Sequence, residues 1–376
     1  MIPDAILAAA ERFRRPSNIG RIAACNGQPI MAAAVTLEDG EAPAAPEADL
    51  GNVVHAAVCD GAQLWKGGMS WGDAIARVCN DAAASGMDSW SVHCIQATLE
   101  FYRDLIARYG IEPDNVLPEH QLDMAATGFK RKGTADLVLV IPFKLVVIVD
   151  LKAGFVDQGD AEDHDQMAVY AAAAAATFKA QKVIVWLWQP RAERDRRATA
   201  AEFDAALLHD TTTWSLAVLY RSRQPTAELC AGFNQCATCP AVRRCPAAKE
   251  FIVNVQEALA VLGAPTTPES WGEAIGAAKL AEKWAEAWKD AGKAHLLAGG
   301  QAIGFKLGTG RAIRAVADVP GAFAKLREAG LESEALEAAS LSVGKLTPYA
   351  AEVIAGHITE KVSDPPLVAD KRARSA

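Results

Sequence analysis

Two acids and a lysine fall where the apolar patterning of the chain ends. Gly133-Thr134-Ala135-Asp136 opens one β-branched run, and Asp150-Leu151-Lys152 closes the next. Two strands joined by a tight turn bring their outer ends together, so Asp136 and Asp150 are expected near one another. A carboxylate pair with a neighbouring oxygen donor suits a hard divalent cation such as Mg²⁺, which takes oxygens at about 2.0–2.1 Å and keeps several waters. Strand alternation points Asp150 and Lys152 to one face. An ammonium there can hold, or help deprotonate, a water aimed at phosphorus while the cation neutralises charge on the phosphate oxygens.

Alone, Asp-x-Lys also describes a solvated ion pair at a strand end. Its company separates the two. Upstream lie Gly51-Asn52-Val53-Val54-His55 and Glu119, and downstream comes Gln166-Met167-Ala168-Val169-Tyr170. Gln166 and Tyr170 share a helix face, where an amide and a phenol can bond a phosphate backbone or support a metal site. A second group is made of cysteines: Cys230, Cys236, Cys239 and Cys245 read C-x5-C-x2-C-x5-C. Eight cysteines in a chain expected to be cytoplasmic argue for thiols or a metal site rather than disulfides. Structural zinc commonly uses two short knuckles, and this segment supplies one. Cys59, Cys79 and Cys94 read as small buried hydrophobes.

The elements that must position these residues follow from period and punctuation. Apolar residues Val92, Ile95, Leu99, Tyr102 and Ile106 predict an amphipathic helix over 91–109. Residues 116–124, 134–141 and 145–150 predict three strands, the last two joined through Pro142-Phe143-Lys144. A helix over 160–178 and a strand over 182–189, ended by Pro190, come next. Residues 37–50 read as a loop, and 262–270 as a linker whose Thr267-Pro268 caps a helix running to about residue 297. Along that helix Leu280, Trp284 and Trp288 form one stripe, expected to be core packing. This gives a domain over 1–261 and a mainly helical accessory region over 271–376.

Composition narrows the field. With 51% hydrophobic and 22% charged residues, the 376-residue chain can bury a sizeable core. The longest apolar run, 167–178, falls short of the roughly 20 residues that cross a bilayer, so no membrane span is expected. Asp4 and the late arginines of the N-terminus invert the order of a secretory signal, which predicts a cytoplasmic protein. The net charge of −8 excludes bulk attraction to nucleic acid, so any such binding must be local. Local basic clusters exist at Arg12/Arg14/Arg15, Lys130/Arg131/Lys132, Arg191/Arg194/Arg196/Arg197 and Arg243/Arg244.

The set GxxxH, Gly-x-x-Asp, acid-x-Lys and QxxxY resembles the RecB-type branch of the PD-(D/E)XK nucleases. That resemblance implies a restriction-endonuclease-like α/β core, a mixed central sheet flanked by helices. It implies that His55, Asp136, Asp150 and the Leu151 carbonyl bind Mg²⁺ or Mn²⁺, that Lys152 is the catalytic lysine, and that Glu119 is an additional acid. Gln166 and Tyr170 would contact DNA or steady the site, and Arg131 and Lys132 are candidates for phosphate contacts. Cys236, Cys239 and Cys245 resemble the iron–sulfur motif of a subset of these nucleases, among them the AddB subunit and certain CRISPR-associated exonucleases. There the fourth thiolate precedes the nuclease core, the place Cys25 occupies, with Cys230 as the alternative fourth ligand and zinc as the alternative to a [4Fe–4S] cluster. The start RRPSNIGRIAAC and the end PPLVADKRARSA further resemble a phage and prophage family of RecB-like proteins. The implied activity is metal-dependent exonucleolytic hydrolysis at DNA ends, in recombination or replication, beside a single-strand-binding or annealing protein. A structure-selective endonuclease and a non-catalytic DNA-binding scaffold are the alternatives, and oligomeric state stays open.

Overall fold

The computed structural model describes residues 2–40, 46–154, 158–192, 197–262, 265–302 and 319–328. Its centre is a five-stranded mixed sheet in the order β1-β2-β3-β4-β5. β2 (Gly133–Ile141) and β3 (Leu145–Leu151) are near-continuous apolar runs, which is the pattern of strands covered on both faces. They pair antiparallel through a turn at Phe143, φ +62°, where the Lys144 N–H donates to the Ile141 carbonyl at 3.0 Å. β1 (Val116–Leu122) pairs antiparallel with β2, β4 (Lys182–Trp188) runs parallel to β3, and β5 (Ala198–Phe203) closes the far edge antiparallel to β4.

A parallel step needs a crossover, supplied here by α7 (Asp165–Phe178). Its run Ala171–Ala174 is buried, and small side chains let the helix backbone lie close to the sheet. One core joins α7 to Val138, Val140, Val146 and Ile148. The alternate residues Leu137, Leu139, Val147 and Val149 form a second core with α4 (Pro46–Lys66) and α6 (Ser89–Tyr109). Each fully buried aliphatic side chain contributes roughly 1.5–3 kcal/mol. α6 is delimited by its ends: Asp88 accepts from the Ser91 N–H at 3.0 Å, and Gly110 takes the left-handed conformation at φ 61°. α5 (Trp71–Ala84) packs beside α4 and begins at a Ser70 cap.

Around this centre lie α1 (Asp4–Ala10), α2 (Ile19–Ala24), α3 (Gln28–Asp39) and α8 (Ala205–Ser222). Arg14, buried to 2% exposure, ties the N-terminal segment to α8: it donates to Glu11 at 2.9 Å, to Ser222 Oγ at 3.1 Å and to the Ser222 carbonyl at 2.5 Å. Arg223 donates to Glu11 at 3.0 Å and to the Gly128 carbonyl at 2.9 Å. Part of the expected Arg12/Arg14/Arg15 surface cluster is therefore internal scaffolding. The cysteine segment holds α9 (Phe233–Cys236) and precedes α10 (Pro246–Leu262). α11 (Pro268–Leu297) adds Leu280 and Ala287 to a small core with Cys236 and Val242.

One compact unit contains Met1–Trp288 and a second begins at Lys289, where the described residues include α12 (Val319–Glu328). No helix among the described residues is long and apolar enough to cross a membrane. Several expectations need correction. The expected loop over 37–50 is helical at both ends, with 41–45 outside the described residues: α3 runs to Asp39 and α4 starts at Pro46, since proline is well suited to a first helical position. The helix expected from 160 begins at Asp165, after a short 3-10 turn over Ala161–Asp163. The edge strand β5 and α8 carry too weak a pattern to have been read. Trp288 is 47% exposed rather than core, its ring lying 5.9 Å from the Arg243 guanidinium. Arg194, Arg196, linker residues 263–264, the closing segment 365–376 and most of the expected helical accessory region lie outside the described residues.

Candidate functional site

The β2–β3 register runs from Ile141↔Leu145 to Leu137↔Val149, so one further step sets Asp136 opposite Asp150 where the ladder opens. The β1–β2 register likewise sets Glu119 opposite Asp136, between the pairs Pro118↔Leu137 and His120↔Ala135. At Glu119 the strand takes φ +47°, an unfavourable conformation for a residue other than glycine. α4 brings His55 from outside the sheet. Its Nδ1 lies 2.8 Å from Asp136 Oδ1 and 3.8 Å from Glu119 Oε1. The potential ligand atoms of His55, Glu119 and Asp136 all fall within 4.8 Å of one another, a grouping that could hold a metal ion.

Asp136 Oδ2 is held by the Leu151 N–H at 2.5 Å, which ties the group to the end of β3. Asp150, 4% exposed, lies just outside the three-residue grouping and pairs with Lys152, Nζ to Oδ2 at 2.7 Å. That approach is close but poorly directed, and Oδ2 accepts no well-oriented hydrogen bond. Gln166, in the first turn of α7, donates from Nε2 to Asp150 Oδ1 at 3.3 Å and accepts from Lys152 Nζ at 3.5 Å. Tyr170 lies one turn on and touches Gly133: a Cβ there would stand 2.7 Å from the Tyr170 ring. The glycine of Gly-x-x-Asp is thus required by a close approach. Nothing stands within 4 Å of where a Gly51 Cβ would be, so the glycine of GxxxH has no such reason.

Electrostatics bind the group together. Burial opposes the His55 imidazolium, but hydrogen bonds and charge from Asp136 and Glu119 outweigh it and push the pKa up to about 10. Burial, followed by the charge of Asp150, raises Asp136 against the opposing help of His55 and the Leu151 N–H. Burial and Asp150 push Tyr170 up to about 12. Desolvated acids crowded in this way are offset by the His55 imidazolium and could also take a metal cation. A cavity of about 480 Å³ opens beside His55 and Glu119, lined also by Asn52, Ala56, Cys59 and Asp60. Sequence reasoning assigned Cys59 to a buried hydrophobic role, but it sits one turn beyond His55 at this opening.

Arg131 and Lys132 are exposed on the β1–β2 connection and line a separate cavity of about 730 Å³ with Lys130, Gln121, Asp123 and Thr177. Arg191 stacks over Trp90 at 5.8 Å, and Arg197 donates to the Ala192 carbonyl at 3.1 Å. The cysteines gather elsewhere. Cys25, at the end of α2, accepts from the Cys230 N–H at 3.3 Å, and Gly27 donates to the Glu228 carbonyl at 2.7 Å. A Cβ on Gly27 would stand 2.8 Å from the Ala227 carbonyl oxygen, so glycine lets the two segments meet. Burial, and then the charges of the other thiols including Cys25 and Cys245, push Cys236 up to about 11 and Cys239 up to about 12. Cys25 and Cys236 are buried, Cys239 and Cys245 half-buried, and Cys230 exposed.

A mixed α/β protein with a histidine–carboxylate grouping at the end of two central strands is the class that the fold and site define. The chain belongs to the family described as "Protein of unknown function (DUF2800)", which matches residues 79–374. The match takes in Glu119, Asp136, Asp150, Lys152 and the cysteine segment, and begins after Cys25 and His55. Among curated proteins none matches. A solved structure titled "Crystal structure of SSO0001" is similar over 66% of this chain and 97% of its own, at 14% identity and a TM-score of 0.29.

Proposed function

We propose that this protein is a divalent-metal-dependent deoxyribonuclease of the RecB type, with a PD-(D/E)XK core, acting as an exonuclease at DNA ends. One observation carries the reading: His55, Glu119, Asp136 and the Asp150–Lys152 pair, far apart in sequence, meet at one end of β2 and β3. The donor set fits a hard cation, since it offers carboxylate oxygens and an imidazole nitrogen, including the buried Asp150 carboxylate that the Lys152 ammonium faces at 2.7 Å. His55, Asp136 and Asp150 would hold Mg²⁺ or Mn²⁺, with the Leu151 carbonyl as the resemblance implies and Glu119 as a further acid. When bound, the ion supplies Lewis acidity toward the phosphodiester and acidifies water.

The remaining work belongs to the chain. Lys152 keeps its ammonium against Asp150, positioned to donate a hydrogen bond that holds the attacking water. Gln166 bridges the two and fixes their orientation. The Leu151 N–H keeps Asp136 turned toward His55. Arg131 and Lys132 offer a phosphate contact on the hairpin that leads into Asp136. Cys25 and Cys236, both buried, with the half-buried Cys239 and Cys245, are read as the ligands of a [4Fe–4S] cluster that would fasten the N-terminal segment to the segment after α8. The test is digestion of labelled linear DNA beside a closed circle, in Mg²⁺ and in chelator. Loss of label from the linear form alone, absent in Asp150→Ala, is expected. Cutting of the circle would instead favour an endonuclease, and full activity in Asp150→Ala would remove the assignment.

A further inference from the structure

Tyr102 lies in α6 and is 1% exposed. Its core cluster contains Val54 and Val58, which bracket His55 in α4, Leu137 next to Asp136, and Val149 and Leu151 on either side of Asp150. The charges that bear on its hydroxyl are, in order, those of Asp136, Glu119, Asp150 and Cys59. No described protein group accepts its hydrogen bond. Buried tyrosine hydroxyls ordinarily find a partner, and a phenylalanine would fill the same space without an unmet donor. A buried, unmet donor in the cluster that flanks these acids, with their charges bearing on it, has the polar surroundings that an ordered water requires.

We propose that Tyr102 is a positioning residue of this site: its hydroxyl donates a hydrogen bond to a water held against the Asp136 and Glu119 carboxylates. It approaches from the α6 face of the sheet, whereas Lys152 approaches Asp150 beside α7. Tyr102 thereby orients that water, while Lys152 stays with Asp150 and Gln166. The kinetic part of this inference rests on the hydrolytic reading above; the structural part does not.

Tyr102→Phe removes one oxygen and leaves the ring, so the melting temperature should stay level or rise. Mn²⁺ should still bind to Tyr102→Phe when measured by titration, because no ligand atom is lost. With labelled DNA, kcat should fall about tenfold to a hundredfold at unchanged KM, the loss of one hydrogen bond to a charged or reacting oxygen. Unchanged kcat would overturn the proposal, as would a KM rise alone or a fall in melting temperature that accounts for the lost rate. Should the wild-type protein prove inactive on DNA, a crystal structure with Mn²⁺ decides separately. A water within hydrogen-bond distance of both Tyr102 Oη and a carboxylate supports the proposal, and an Oη in contact with carbon atoms alone refutes it.

Discussion

At Glu119 the chain accepts an unfavourable backbone, φ +47° inside a strand, at a residue that shares His55 Nδ1 with Asp136. Such conformations cost on the order of 1–3 kcal/mol and persist where surrounding structure imposes them, which is common at sites that bind or react. Gly133 shows a second constraint at one residue. Gly133→Ala would drive a methyl to 2.7 Å from the Tyr170 ring. That overpacking should destabilise the protein by about 1–3 kcal/mol and displace Tyr170 from Gln166, which urea unfolding would register. Stability equal to wild type would show that the ring has room to move. Asp136, Asp150 and Lys152 could be read from sequence because strand alternation and a short turn alone determine which residues share an end. Glu119's dihedral and Tyr102's unmet hydroxyl could not, since both depend on what α4 and α6 bring against the sheet.

Among the elements, the β1–β2 connection and the α8 end each carry a testable charge arrangement. Arg131 and Lys132 are exposed at a cavity beside the strand that bears Asp136. The double variant Arg131→Ala/Lys132→Ala should bind duplex DNA more weakly and lower the slope of log affinity against log salt by about 2, near one unit per lost phosphate contact. An unchanged slope would place the DNA elsewhere. At the other end Glu11 joins Arg14, Arg223 and Lys130. Burial alone would raise its carboxyl, but the Arg223 hydrogen bond and the charges of Arg14, Arg223 and Lys130 prevail and hold it below the usual value. A carboxyl depressed in the folded state stabilises above its unfolded pKa and loses that contribution as pH falls through the folded value. Glu11→Gln should therefore cost about 1–3 kcal/mol at pH 7 and nearly nothing in strong acid. An equal loss at both pH values would assign the effect to packing. The central strands and α6 were legible because their periods are long and regular. α4 began inside an expected loop because Ala, Pro and acids serve a first helical turn as readily as a turn between elements, and β5 escaped because ATAAEF has little β-branched content.

On the scale of the whole chain, the cysteines join distant segments. A centre linking Cys25 to Cys236 closes a loop of about 210 residues, which restricts the unfolded chain by roughly 5 kcal/mol. Protein purified without oxygen should be brown with bound iron, and Cys236→Ser should lose the iron and melt about 10 °C lower. Colourless wild-type protein carrying zinc would replace the cluster with a zinc site, and iron-free protein with unaltered melting would dismiss the staple. The meeting of α2 with the segment after α8 was readable only as a resemblance, because the Gly27 contact that permits it is tertiary. The central claim is that the acids and histidine at the β2–β3 end hold a cation beside Lys152 for phosphodiester hydrolysis. Its most direct measurement is nucleotide release from end-labelled DNA by wild type and by Lys152→Ala, each with Mn²⁺ binding measured in parallel. The account predicts Mn²⁺-dependent release by wild type alone, with Mn²⁺ bound by both; equal release by the two proteins, or none by wild type with Mn²⁺ in place, would contradict it.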